Sequence, residues 1–80
     1  MIKPDQRKAF AAQLGEVLRQ TREAQGISQR DLAVFMDIEA SKLCRWEKGK
    51  LEVSVFQLLQ WSHAMGSELG DLVSHAESAL

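Results

Sequence analysis

Apolar residues recur along most of the chain at intervals of three and four, the spacing of a helix with one buried face. Phe10, Leu14, Val17 and Leu18 follow it at i, i+4, i+7 and i+8 and predict a first helix over about Pro4 to Gln25. Pro4 suits a first helical turn, and Gly26 ends the run. Ser28 has the short hydroxyl that caps a helix, and Asp31 complements a positive helix end, so a second helix is predicted over about Ser28 to Met36. Asp37 and Ile38 form a turn, since Asp tolerates the left-handed conformation better than most residues. A third helix, about Glu39 to Lys48, has Leu43 and Trp46 on one face and stops at Gly49. Ser54 caps a fourth helix that reaches Met65, with Val55, Leu58, Leu59, Ser62 and Met65 inward and Gly66 closing it. A short fifth, about Glu68 to Ser74, turns Leu69, Leu72 and Val73 inward. No stretch sustains strand alternation, so the expected fold class is all-α with five helices. Phe10, Leu14, Leu32, Leu43, Trp46, Leu58, Leu59 and Trp61 are the expected core. Val34, Phe35 and Phe56 either join it in a slightly shifted register or form a dimer or partner surface.

The length, 80 residues, and the absence of any linker, repeat or low-complexity run point to one domain over residues 1–80. No apolar run approaches the roughly 18 residues a membrane span needs. One cysteine, Cys44, excludes an internal disulfide, and no signal peptide opens the chain, so the expected compartment is a reducing cytoplasm. A net charge of −1 counts at first against a nucleic-acid partner. The average conceals a division: residues 1–50 hold all ten Lys and Arg against seven acids, a balance of +3, and residues 51–80 hold four acids and no Lys or Arg. Local charge is what a phosphate meets, so the average excludes little.

Two short helices joined by a tight turn, the second rich in small polar and basic side chains, make the pattern of a DNA-reading helix-turn-helix over about residues 28–48. Leu43 and Trp46 anchor the third helix; Ala40, Ser41, Lys42, Cys44, Arg45 and Lys48 are left for its outer surface. Small residues at its start allow close approach to bases, and Arg45 is long enough to reach a guanine edge.

Gly26-Ile27-Ser28-Gln29, Asp31-Leu32-Ala33, Leu43-Cys44-Arg45-Trp46-Glu47-Lys48-Gly49-Lys50, Leu58-Leu59 and Ala64-Met65-Gly66 together resemble the Cro and phage-repressor (Xre-type, lambda-repressor-like) helix-turn-helix family. The resemblance covers about residues 14–73. It implies that Gln29 holds a phosphate and braces the reading helix, that Ala40, Ser41 and Arg45 face bases, and that Lys42, Lys48 and Lys50 lie near the sugar-phosphate backbone. Arg22 and Glu47 match a pair that forms a buried structural salt bridge. The chain departs from the family at Asp37, where a glycine is usual, and at Glu39, where Ser or Thr is usual. A carboxylate there favours the helix dipole and repels phosphate, so it weakens binding or rejects some sequences.

The expected function is sequence-specific binding of double-stranded DNA by a transcriptional regulator, a repressor, bacterial or phage-encoded. A homodimer would span a partly palindromic operator with half-sites about 34 Å apart. Leu69, Leu72 and Val73 are the expected dimer contacts in the acidic C-terminal third, and Val34, Phe35 and Phe56 a dimer or partner face. The alternative is a protein-interaction or antitoxin-like accessory module that docks a protein partner. No enzyme is expected, because His63 and His75 have no ligand-spaced or catalytic partners and no phosphate loop is present. No metal, cofactor or membrane partner is expected.

Overall fold

The computed structural model describes residues Met1 to Leu80. A 3-10 turn, Pro4–Gln6, leads into α1 (Arg7–Ala24), followed by α2 (Gln29–Met36), α3 (Ala40–Glu47), α4 (Val55–Met65) and α5 (Leu69–Ser78). The expected all-α class and five helices are found. Local chemistry sets the boundaries: Ser28 Oγ accepts the Asp31 N–H at 3.0 Å, and Ser54 Oγ accepts the Gln57 N–H at 3.1 Å. Asp37 ends α2 in the left-handed conformation, φ 57° and ψ 47°, while the N–H of Ile38 closes on the carbonyl of Ala33. Three residues therefore separate α2 from α3.

α1 is the spine, packed against α3 on one side and α5 on another, while α2 packs on α3 and α4. Leu14 and Leu18 of α1, Leu32 and Met36 of α2, Leu43 and Trp46 of α3, Leu58, Trp61 and Met65 of α4, and Leu72 and Ala76 of α5 form one core. Both tryptophan N–H groups are buried without a partner. Each orphan costs about 1–3 kcal/mol, while burying roughly 150–250 Å² of ring at ~25 cal per Å² contributes about 4–6 kcal/mol, so burial wins.

Three expectations change. Val55 and Leu59 of α4 face solvent, 78% and 38% exposed, because the buried stripe is Leu58, Trp61, Ser62 and Met65. Leu59 lies about 100° around the helix from Leu58 and falls off that stripe. α5 runs four residues further than the expected Ser74, to Ser78, and buries Ala76 completely against the core. Leu72, expected at a dimer surface, is a core residue at 3% exposure; Leu69 is half-buried against the core, and of the three only Val73, at 36%, is exposed. The face of α5 that carries Leu72 is spent on its own fold. Val34, Phe35 and Phe56 stand outside the core.

The approach of α1 to the end of α3 depends on two missing side chains. A Cβ on Gly15 would lie 2.3 Å from the carbonyl oxygen of Trp46 and 2.7 Å from that of Glu47. Gly49, at φ 71°, would bring a Cβ within 2.7 Å of the Ala12 backbone. Backbone cannot rotate aside as a side chain end can. Gly15→Ala should therefore destabilise the fold by about 2–3 kcal/mol in urea titration. Gly70→Ala, in α5 with nothing near its Cβ, should instead gain about 0.5 kcal/mol by stiffening the unfolded chain.

Candidate nucleic-acid interface

α3 divides into two faces. Leu43, Trp46 and Glu47 are buried, Ala40, Ser41 and Arg45 are exposed, and Lys42 and Cys44 lie between, half-buried. Glu39 precedes the helix and Lys48 follows it, both exposed. The end of α3 is set by its backbone: the Gly49 N–H donates to the Trp46 carbonyl at 3.0 Å and the Lys50 N–H to the Arg45 carbonyl at 2.9 Å. This closure, which needs the left-handed Gly49, fixes where Lys48 and Lys50 leave the helix.

What orients the outer face is a polar chain beneath it. Arg22 of α1 donates from Nε and Nη2 to the two carboxylate oxygens of Glu47, at 2.7 and 2.9 Å, and from Nη1 to the Ile27 carbonyl at 2.7 Å. Gln29, first in α2, donates from Nε2 to Glu47 at 2.9 Å. One carboxylate thus joins α1, α2 and α3. Arg22 and Glu47 are 7% and 6% exposed, and the hydrogen bond to Glu47 raises the Arg22 pKa above its ordinary value despite burial, so the arginine stays charged. The pairing of Arg22 with Glu47 is present, as is the bracing contact of Gln29. Lys42 Nζ lies over the Trp46 ring, 5.8 Å from its centre, which steadies its stem against α3.

The fold also gathers residues that sequence spacing left apart. Lys42, Arg45 and Glu39 line one shallow depression with Gln57 of α4. Lys8 and Arg7, in the first turn of α1, border a second one with Gly49 and Lys50. Arg7 pairs with both carboxylate oxygens of Glu52, at 2.5 and 2.7 Å, and lowers the Glu52 pKa chiefly through this hydrogen bonding. Stabilisation from that pairing is complete above the ordinary carboxylate value and lost as pH falls through the lowered one. With Glu52 taken up, Lys8 and Lys50 make no salt bridge, and neither do Lys42, Arg45 and Lys48. Nothing in the spacing of Lys8 and Lys50, 42 residues apart, announced the meeting.

The outer row of α4 is apolar: Val55, Phe56 and Leu59 are 78%, 67% and 38% exposed. Phe35 of α2, 75% exposed, borders a depression with Gln60 and His63 of that helix and extends the patch. No helix is long and apolar enough to cross a membrane. No group of three His, Cys, Asp or Glu side chains is placed to hold a metal ion.

A family model described as a helix-turn-helix domain matches residues 13–75. Two crystal structures of the clp gene regulator ClgR from Corynebacterium glutamicum superpose with a TM-score of 0.83 and 30% sequence identity. The match covers 88% and 89% of this chain and 74% and 92% of theirs. The restriction-modification controller protein C.AhdI from Aeromonas hydrophila superposes with a TM-score of 0.74 and 31% identity, over 78% of this chain and 94% of its own. No curated protein matches the chain.

The polar chain under α3 carries a testable cost. Glu47→Leu leaves the Arg22 guanidinium buried without its partner and should destabilise the fold by about 3 kcal/mol or more. Arg22→Met combined with Glu47→Leu should recover much of that loss in the same urea titration, since no charge is then stranded.

Proposed function

The chain belongs to the helix-turn-helix domain family, and on that premise we propose that it is a sequence-specific transcriptional regulator, a repressor, acting on double-stranded DNA in the cytoplasm of a bacterial cell. The observation that carries this reading is the exposed face of α3, small at its start and basic at its end, held in place from below by Arg22, Gln29 and Glu47. An eight-residue helix is about 12 Å long, the width of a major groove. With Ala40 and Ser41 at the bases, Arg45 reaches a guanine edge, and Lys48 and Lys50 come to the phosphates on the groove wall. Gln29 has a second amide hydrogen beyond the one given to Glu47, free for a phosphate oxygen. Lys42 adds a further phosphate contact, and Lys8, beside Lys50, lies on the same side.

One such helix reads only a few base pairs, so useful affinity calls for a second copy on a partly palindromic operator. The face that suits a second copy is the outer row of α4. Residues 53–67 contain no Asp, Glu, Lys or Arg, so the α4 row can meet itself across a two-fold axis without like charges opposing, while Asp37 borders it on the Phe35 side. Val55, Phe56, Leu59 and Phe35 supply the apolar centre, and Gln60 and His63 a polar rim. Val73 of α5 remains exposed for such contacts, while Leu72 does not. The same exposed patch, with Val34 at 74% exposure, favours a second reading in which a different protein docks there and DNA binding is secondary.

Three measurements test these assignments. On the preferred operator, Arg45→Ala should lose about 1–3 kcal/mol and relax one base position. Lys48→Ala should instead weaken all sequences alike and reduce the salt slope by about 0.9. Unchanged binding in both variants would remove α3 as the contact face. Phe56→Glu should convert a dimer to a monomer in sedimentation equilibrium; a dimer that persists would assign the patch to a different protein.

A further inference from the structure

Glu39 occupies the position from which a side chain ordinarily turns back to cap the first N–H groups of a helix. Ser28 and Ser54 do this for α2 and α4; Glu39, with φ −76° and ψ 141°, makes no such hydrogen bond. Its carboxylate instead accepts the hydroxyl of Ser41 in a long hydrogen bond of 3.4 Å, on the exposed side of α3. No basic side chain pairs with it, although Lys42 and Arg45 line the same depression. The carboxylate is thus neither a cap nor half of an ion pair, and it stands beside Ser41 at the end of the helix where base contacts are made.

This placement is costly next to DNA unless the carboxylate meets a donor. A carboxylate accepts hydrogen bonds and donates none, and phosphates repel it. The major groove offers two base donors, the N4 amino group of cytosine and the N6 amino group of adenine. Adenine carries its N6 beside N7, whose lone pair opposes a carboxylate. Cytosine has a carbon–hydrogen edge next to N4 and no such lone pair. We propose that Glu39 is a specificity-determining residue that selects cytosine by accepting a hydrogen bond from its N4 amino group. The inference rests on the DNA-reading role of α3. It turns the departure at Glu39 from a defect into a filter: thymine and guanine, which present carbonyl oxygens at that edge, are refused.

The test is selection of bound duplexes from a random DNA pool by the full chain and by Glu39→Gln and Glu39→Ala. The wild-type chain should enrich cytosine at one position of each half-site. Glu39→Gln should move that position to adenine, because an amide both accepts from N6 and donates to N7. Glu39→Ala should leave it unspecified, with the remaining positions unchanged in both variants. In titration, replacing the selected C·G pair by T·A should weaken the wild type by about tenfold or more and leave Glu39→Ala indifferent. A role confined to helix stability would lower affinity without exchanging one base for another. If both variants enrich the same base as the wild type at every position, or the wild type shows no cytosine preference, the proposal is overturned while the role of α3 stands. A wild-type chain that enriches no sequence would remove that role itself.

Discussion

A guanidinium and a carboxylate taken out of water must satisfy each other completely or destabilise whatever encloses them. Arg22 and Glu47 join through two hydrogen bonds, Arg22 gives a third to the Ile27 carbonyl, and Glu47 accepts a third from Gln29. Because these groups come from α1, α2, α3 and the loop between the first two helices, only one arrangement of the three helices satisfies them together. Gly15 makes that arrangement reachable, since α1 can lie against the last carbonyls of α3 only where no side chain intervenes. The outer face of α3 is therefore oriented from beneath, by the buried Arg22 and Glu47 and by the half-buried Gln29. A site that must match groove geometry gains from such support, because a loosely held helix would spread its contacts over several registers.

The net charge acquires a different meaning once the side chains are placed. Glu47 and Glu52 are each taken up by an arginine, and Glu16 and Glu23 are held by Arg19 along α1. Glu68, Asp71 and Glu77 belong to α5 and its cap, with no part in the α3 face. Around α3 this leaves Lys42, Arg45, Lys48, Lys50 and Lys8 against Glu39 and Asp37, the two acids that line one depression with Lys42 and Arg45. The overall balance of −1 limits long-range, sequence-independent attraction, so discrimination has to come from matched contacts. In such a protein a carboxylate at the start of the reading helix is consistent with the rest of the surface: it gives up general affinity for refusal of the wrong bases.

Much of the fold was legible in the residues themselves. Ser28 and Ser54 announced their helices through cap chemistry, and Asp37 the turn through its tolerance of positive φ. The pairing of Arg22 with Glu47 was legible only through family resemblance, since no spacing rule joins residues 25 apart. The rotation of α4 was not legible, because Leu58 and Leu59 are equally apolar and the choice between them falls to Trp61, which is completely buried. The far end of α5 is not legible because Ala76, its last buried residue, carries little apolar signal, and packing gives Leu72 to the core and not to a dimer surface. The meeting of Lys8 with Lys50, and of Gln57 with Arg45, belongs to the tertiary fold alone.

In the proposed function, α3 and its flanking residues, positioned by the Arg22–Glu47 pair, form the surface that meets DNA. Amide chemical-shift mapping of the full chain titrated with a duplex carrying its selected site tests this most directly. The largest changes should fall at Gln29, across Glu39 to Lys50 and at Lys8, with the outward face of α5 unaffected. Changes concentrated on α4 and α5, with α3 unmoved, would contradict it.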